Sequence, residues 1–175
     1  YVKAVVVTFP GSNCDQDAVH VLVNVVGIQA ERVWHKSSVI DEDTDLVVLP
    51  GGFSFGDALR SGAIARFSPV MSAVRTHAQR GGYVLGICNG FQILLESGLL
   101  PGAMLQNDRG TFVCRPTPLK VQSTDSAFTR AFHAGETLHI PVAHHEGRYY
   151  APPEVLNALD QEGRVPFTYL DNPNG

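Results

Sequence analysis

Long apolar runs are missing from this chain. Stretches such as Ala4–Val7 and Leu46–Leu49 are its longest, far short of the roughly 20 residues that span a bilayer. The N-terminus has no charged segment followed by a long apolar core, so no secretory signal is read there. Clustered basic residues are missing too. The 13 Lys and Arg against 17 Asp and Glu leave a net charge of −4, whereas nucleic-acid binding needs a basic patch or stripe. Cysteine is scarce: Cys14, Cys88 and Cys114 stand apart and form no C-x-x-C pair. An odd, sparse count fits a reducing compartment and argues against a metal site. These absences predict a cytoplasmic protein without nucleic-acid, membrane or metal partners.

What is present suits an ordinary globular fold. The chain is 44% hydrophobic and 17% charged, with 17 glycines and neither repeats nor low-complexity tracts. At 175 residues it is expected to be one domain, large enough to bury about two-thirds of its unfolded surface without disulfide or metal staples.

Hydrophobic periodicity and Gly/Pro punctuation set the order of elements. Lys3–Phe9 reads as a strand buried on both faces, broken by Pro10-Gly11. Ser12 or Asn13 is expected to cap a helix over about Asp15–Val26, with Ala18, Leu22 and Val25 on one face and Gly27 as its stop. Ala30–Trp34, Leu46–Leu49 and Tyr83–Ile87 read as further strands, and Pro69–Arg80 and Asn89–Ser97 as helices. This alternation predicts an α/β fold: an open, mostly parallel sheet with helices on both faces. Beyond Gly102, strands over Phe112–Gln122, Thr137–Val142 and Val165–Leu170, with a short helix over Pro153–Gln161, are expected to form an antiparallel extension at the sheet edge.

The most informative segment is Gly86-Ile87-Cys88-Asn89-Gly90-Phe91-Gln92. Gly86-x-Cys88-x-Gly90 is the G-x-S-x-G nucleophile elbow with sulfur in place of oxygen. A turn that leaves a strand and enters a helix at once forces its central residue into a strained backbone. Side chains at the flanking positions would strike the neighbouring strand and helix, hence glycine. The turn presents a thiol at the carboxyl edge of the sheet, where α/β folds bind ligands. Its place at a helix N-terminus is expected to favour the thiolate, and the Asn89 N–H points into the same space as an oxyanion donor. A free cysteine is ordinarily a small buried hydrophobe. The two glycines, the strand before and the helix after favour a nucleophile here. Cys14 and Cys114 lack an elbow and are expected to pack structurally.

Pro50-Gly51-Gly52-Phe53-Ser54-Phe55-Gly56-Asp57 follows a buried strand directly. The glycine pair permits close approach of a ligand to the backbone, and the Gly52 or Phe53 amide is a candidate second oxyanion donor. Alone, the segment reads as a strand–helix turn capped by Asp57; beside a cysteine elbow it reads as part of a site.

Together these segments resemble the class I (triad) glutamine amidotransferases, whose elbow reads Gly-x-Cys-x-Gly-x-Gln, here Gly86, Cys88, Gly90 and Gln92. Within that family the chain is most similar to glutaminase subunits of phosphoribosylformylglycinamidine synthase. That likeness rests on Phe9–Asp15, Val33–Lys36, Leu49–Asp57, Gly62–Ala65, Gly86–Gln92, Asn107 with Phe112, Pro141–Tyr149 and Tyr169–Gly175. The resemblance implies that Cys88 attacks the amide of glutamine and forms a glutamyl thioester that water hydrolyses. It implies an oxyanion hole from Gly52, Phe53 and Asn89, with Gln92 helping to hold glutamine. The ammonia is expected to pass to a separate synthetase subunit, with a small accessory subunit as a further partner. ATP and Mg²⁺ are expected on the synthetase, since this chain carries no ATP-binding motif and no cofactor of its own.

One element of the pattern is absent. The family's base is a histidine in a His-Pro-Glu motif near the C-terminus, and no His-Pro-Glu occurs here. The sequence stops at Asn174-Gly175, before that motif is due, so an incomplete chain is the expectation. His144-His145-Glu146 has the same His-x-Glu spacing, and strand alternation would put His144 and Glu146 on one face. It is expected to wall the active site or meet the synthetase, a base pair being the lesser reading. His20, His35, His77, His133 and His139 receive no role. Two other functions stay open: a DJ-1/PfpI-like cysteine enzyme, disfavoured because Asn89 stands where that group has histidine, and a non-catalytic interaction subunit.

Overall fold

In the computed structural model, which describes every residue from Tyr1 to Gly175, the chain groups into two compact units, Tyr1–Leu100 and Pro101–Gly175. The first is built on four parallel strands: β1 (Lys3–Thr8), β2 (Gln29–Trp34), β3 (Leu46–Leu49) and β4 (Tyr83–Gly86), in the spatial order β2-β1-β3-β4. β1 pairs in register with β2 from Lys3↔Gln29 to Thr8↔Trp34, and with β3 from Ala4↔Leu46 to Val6↔Val48. The run of valines suits this central place, because β-branched side chains fill both faces of a covered sheet.

Three helices accompany the sheet: α1 (Asp15–His20), α2 (Val70–Gln79) and α3 (Asn89–Glu96). The step from β1 to β2 runs opposite to the step from β3 to β4, so right-handed crossovers place α1 and α2 on opposite faces. Val5, Val7, Val47 and Leu49 form one buried cluster with Val70 and Val74 of α2 and Ile93 and Leu94 of α3. The alternate positions Ala4, Val6 and Val48 are buried as well. Each buried Val, Leu or Ile contributes roughly 1.5–3 kcal/mol by leaving water, which makes this core the platform for the loops above it.

The structure departs from the sequence reading at the first helix. The α-helical stretch ends at His20 and continues as a π-helix over Val21–Val26, with the Gly27 N–H reaching back to the Leu22 carbonyl. Four valines in six residues disfavour a tight α turn, since β-branched side chains lose rotamer freedom there. The wider turn breaks the expected face: Val25 is 72% exposed instead of packing with Ala18 and Leu22. Neither Ser12 nor Asn13 caps α1. Cys14 holds that position without capping the helix, its thiol donating to Asn13 Oδ1 (3.2 Å), and the Ser12 hydroxyl accepts from the Phe9 N–H (3.1 Å). β4, expected as a buried strand, is an edge strand with an exposed Tyr83.

The second unit is antiparallel, as expected, but its strands make sheets of their own. β5 (Ala103–Leu105) pairs with β8 (Arg148–Tyr150), while β6 (Val113–Val121) lies between β7 (Thr137–His144) and β9 (Phe167–Tyr169). β5 and β8 are three residues each, too short to show periodicity. Pro116 and Pro118 are tolerated in β6 because β9 pairs only with Leu119–Val121, leaving the proline stretch without a ladder on that side. α4 spans Pro153–Gln161, the range its opening proline signals. No helix of the chain is long and apolar enough to cross a membrane.

Candidate active site

β1, β3 and β4 are adjacent and parallel, so the loops that follow them share one edge of the sheet. These loops are Gly11–Cys14, Gly51–Asp57 and the turn at Cys88. Cys88 has φ 51° and ψ −109°, a backbone combination that L-residues avoid and that costs on the order of 1–3 kcal/mol. The structure shows why its neighbours are glycines. A Cβ on Gly90 would lie 1.9 Å from the Leu49 carbonyl oxygen, and one on Gly86 would lie 2.8 Å from the Gly90 oxygen and the Phe91 nitrogen. The helix therefore starts against the end of β3, and the Cys88 thiol stands at an exposed corner.

The β1 and β3 loops are stitched together. The Phe53 N–H donates to the Gly11 carbonyl (3.1 Å) and the Phe55 N–H to that of Pro10 (2.6 Å). Gly52 has φ 138°, and a Cβ there would meet Asn13 N at 2.8 Å. Phe55, Asp57 and Leu59 also have positive φ, although none is glycine. That strained path is held from below by the buried Asn89 side chain: its Oδ1 accepts from the Ser54 N–H (3.1 Å), and its Nδ2 donates to Gln92 Oε1 (3.1 Å) and Asp57 Oδ1 (3.5 Å). Beyond Asp57 the loop is clamped onto α3. Arg60 donates twice to the Glu96 carboxylate, at 2.6 and 2.7 Å, and a Cβ on Gly62 would lie 2.9 Å from Ile93 N.

Of the residues singled out by sequence, Asn89 bonds Gln92 and, through Ser54, holds the turn that carries Gly52 and Phe53, with Cys88 next to it in the chain. Two others belong with them and were missed. Asp57 is drawn inward as an acceptor for Asn89 instead of capping a helix. Cys14, expected to pack structurally, is an exposed thiol whose Sγ lies 3.5 Å from where a Gly51 Cβ would be, with Cys88 Cβ 3.6 Å from the same point. The tight Gly11-Ser12-Asn13 turn was the available signal; that it folds over Gly51-Gly52 depends on the pairing of β1 with β3. Cys114, also expected to be structural, is exposed on β6.

The electrostatics do not favour a resting thiolate. Crowding of the corner by its neighbours pushes the Cys88 thiol pKa up. The Asn89 N–H acts the other way, while Cys14 and the Asp57 carboxylate add to the rise. A thiol can be open to solvent on one side and still lose hydration on the others. The helix N-terminus alone does not overcome this, so attack requires a proton acceptor. His35 and His77, both buried, are engaged elsewhere: His35 Nδ1 with Ser68 Oγ (3.0 Å) and His77 Nε2 with the Tyr83 carbonyl (3.0 Å). His20 Nδ1 meets Asn24 on the surface (3.2 Å).

In the second unit, His144 ends β7 and Glu146 lies in the following turn, so strand alternation does not set the two side by side. His144 Nδ1 bonds Asn107 Oδ1 (3.1 Å), and burial lowers the ring's pKa. Asn107 is a knot for this unit. Its Oδ1 also accepts from the Gly147 N–H, and its Nδ2 donates to the Thr111 and His144 carbonyls. No group of three His, Cys, Asp or Glu side chains is placed to hold a metal ion.

Comparison with known proteins adds an independent line. The family model described as a CobB/CobQ-like glutamine amidotransferase domain matches residues 1–175. Phosphoribosylformylglycinamidine synthase subunit PurQ of Cereibacter sphaeroides is 56% identical over 173 residues, 99% of this chain and 78% of that protein. The subunit of the same name from Roseobacter denitrificans is 54% identical over 172 residues, 98% of this chain and 77% of that protein. Among solved structures, a chain of PurLQS from Thermotoga maritima superposes with a TM-score of 0.88 at 42% identity, covering 99% of this chain and 77% of that one.

Proposed function

From the premise that the chain belongs to the CobB/CobQ-like glutamine amidotransferase family, we propose that it is the glutamine-hydrolysing subunit of a phosphoribosylformylglycinamidine synthase in purine biosynthesis. The observation that carries this reading is the Cys88 elbow, a thiol held in a forbidden backbone conformation at the carboxyl edge of the sheet. The kinship of the whole chain with PurQ subunits supports the substrate and the assembly.

The Cys88 elbow and the turn after β3 support the following chemistry. Glutamine enters with its side-chain carbonyl carbon near the Cys88 sulfur. The thiol gives up its proton to a general base, which returns it to the amide nitrogen as that group departs; the sulfur attacks, and negative charge develops on the carbonyl oxygen. That oxygen needs main-chain donors. Since the Phe53 N–H is engaged with the Gly11 carbonyl, the oxyanion hole is assigned to the N–H groups of Gly52 and Asn89, with Phe53 fixing the turn between them. Collapse of the tetrahedral species expels ammonia, and water then releases glutamate from the thioester. Gln92 helps position the substrate. The ammonia goes to a synthetase subunit, which carries ATP and Mg²⁺ and aminates formylglycinamide ribonucleotide. A small accessory subunit and a cytoplasmic setting complete the reading; the similar Thermotoga maritima chain comes from a structure of PurLQS.

The test is Cys88→Ala in the reconstituted synthetase. Synthesis from glutamine should vanish while synthesis from free ammonium continues at the wild-type rate. Persisting use of glutamine by that variant would remove Cys88 from the chemistry.

A further inference from the structure

Residue 89 follows the nucleophile, and the reading above uses only its main-chain N–H. Its side chain is the most completely engaged polar group of the site. It is 2% exposed, and all its bonds run to the residues that shape the hole. The orientation of its amide is dictated by its partners. The Ser54 N–H requires an acceptor, which must be Oδ1; Nδ2 then faces two acceptors, Gln92 Oε1 and the Asp57 carboxylate. A side chain lacking either end breaks one half of the bridge.

Three consecutive amides, those of Gly52, Phe53 and Ser54, form the turn after β3. The Phe53 N–H is pinned to the Gly11 carbonyl on one side, and the Ser54 N–H to Asn89 Oδ1 on the other. Pinning two successive amides sets the peptide planes around them and so aims the Gly52 N–H. Without the second pin, a backbone that passes through positive φ at Gly52, Phe55, Gly56 and Asp57 has no tether to α3 at this point. The hydroxyl of Ser54 is no substitute: it is buried and makes no hydrogen bond.

We propose that the Asn89 side chain is the positioning residue of the oxyanion hole, tying the Gly52–Ser54 turn to the nucleophile helix through Ser54, with its own amide nitrogen anchored on Gln92 and Asp57. One residue thereby supplies an oxyanion donor with its main chain and sets the opposite donor with its side chain. The proposal rests on the glutaminase reading. It requires that the effect fall on turnover, where charge sits on the carbonyl oxygen, and not on ground-state binding.

The experiment uses the subunit in its assembled synthetase. Asn89→Ala is expected to lower kcat for glutamine hydrolysis about 10²-fold, the loss typical of one misplaced oxyanion donor, with KM for glutamine within about 3-fold. Iodoacetamide alkylation of Cys88 makes no oxyanion, so its rate should stay within about 2-fold of wild type, which a general disturbance of the elbow would not permit. The exchange Asn89→Asp with Asp57→Asn keeps an acceptor for the Ser54 N–H, a donor–acceptor pair between positions 89 and 57 and the same net charge, and should lose only about 10-fold, giving a second reading should the alanine variant fold poorly. A kcat within 3-fold of wild type in Asn89→Ala, or alkylation falling in parallel with kcat, overturns the proposal. The glutaminase reading is judged separately, by whether the wild-type assembly uses glutamine and Cys88→Ala does not.

Discussion

Replacing Gly90 by alanine isolates the geometry of the elbow from its chemistry, because a single methyl group is added and no reactive or charged group is touched. That methyl carbon would sit 1.9 Å from the Leu49 carbonyl oxygen, 2.5 Å from its carbon and 2.8 Å from Leu49 Cβ. Ordinary contact begins near 3.4 Å, so the start of α3 must retreat from β3 by about 1.5 Å. The obstacle is main chain of a buried strand, so no rotamer change relieves it. Overpacking of this kind costs roughly 1–3 kcal/mol, which for a chain this size lowers Tm by about 2–12 °C. The same retreat carries Cys88 and the Asn89 N–H away from the Gly52 turn, and a misplacement near 1 Å costs about 10² in rate. Gly98→Ala is the matched control. It has positive φ (70°), which Gly90 does not, and nothing lies within 4 Å of its added carbon, so it should cost about 1–2 kcal/mol and leave turnover alone. Calorimetry and glutamate release, measured on both variants, separate the two effects. A Gly90→Ala protein with kcat within 3-fold of wild type would refute the claim that contact with β3 sets the nucleophile's position.

Asp57→Asn removes a charge that raises the Cys88 pKa while keeping an acceptor for Asn89. The midpoint of the pH–alkylation curve should move to lower pH, and a move upward would contradict the electrostatic account. Cys14→Ala should shift that midpoint in the same direction, since Cys14 also opposes the thiolate. Asp15 is buried, which works to raise its pKa, yet bonds from Arg32 (3.1 Å) and Thr8 (3.0 Å) outweigh burial and hold it below the usual carboxylate range. A lowered folded-state pKa adds stability above about pH 4 that disappears as pH falls through the folded value. Asp15→Asn should therefore cost about 1 kcal/mol at pH 7, Arg32 being half exposed, and the gap from wild type in urea unfolding should close as the pH is lowered through the depressed folded-state value.

Much of the site was legible before any coordinates, because its strongest constraints are local. Gly86-x-Cys88-x-Gly90 between a valine-rich strand and an amphipathic helix specifies the elbow by sterics alone. The order of the central elements follows from periodicity in the same way, and α4 appears over the range its proline marks. What escaped depends on tertiary pairing. Phe53 looked like an oxyanion donor until its N–H was found on Gly11, a partner 42 positions away that only the β1–β3 pairing brings near. The π-helix at Val21–Val26 reflects rotamer crowding among valines that a helical wheel ignores. The thiolate expected from the helix N-terminus was outweighed by crowding, Cys14 and Asp57, and Asp57 reads as no more than a cap when its segment is taken alone.

The most direct measurement is mass spectrometry of the assembled synthetase quenched during turnover of glutamine. A γ-glutamyl adduct should be found on the peptide carrying Cys88, absent from the peptide carrying Cys14, and lost in Cys88→Ala. An adduct on Cys14, or steady glutamine consumption after Cys88 is replaced, would contradict the assignment of the nucleophile.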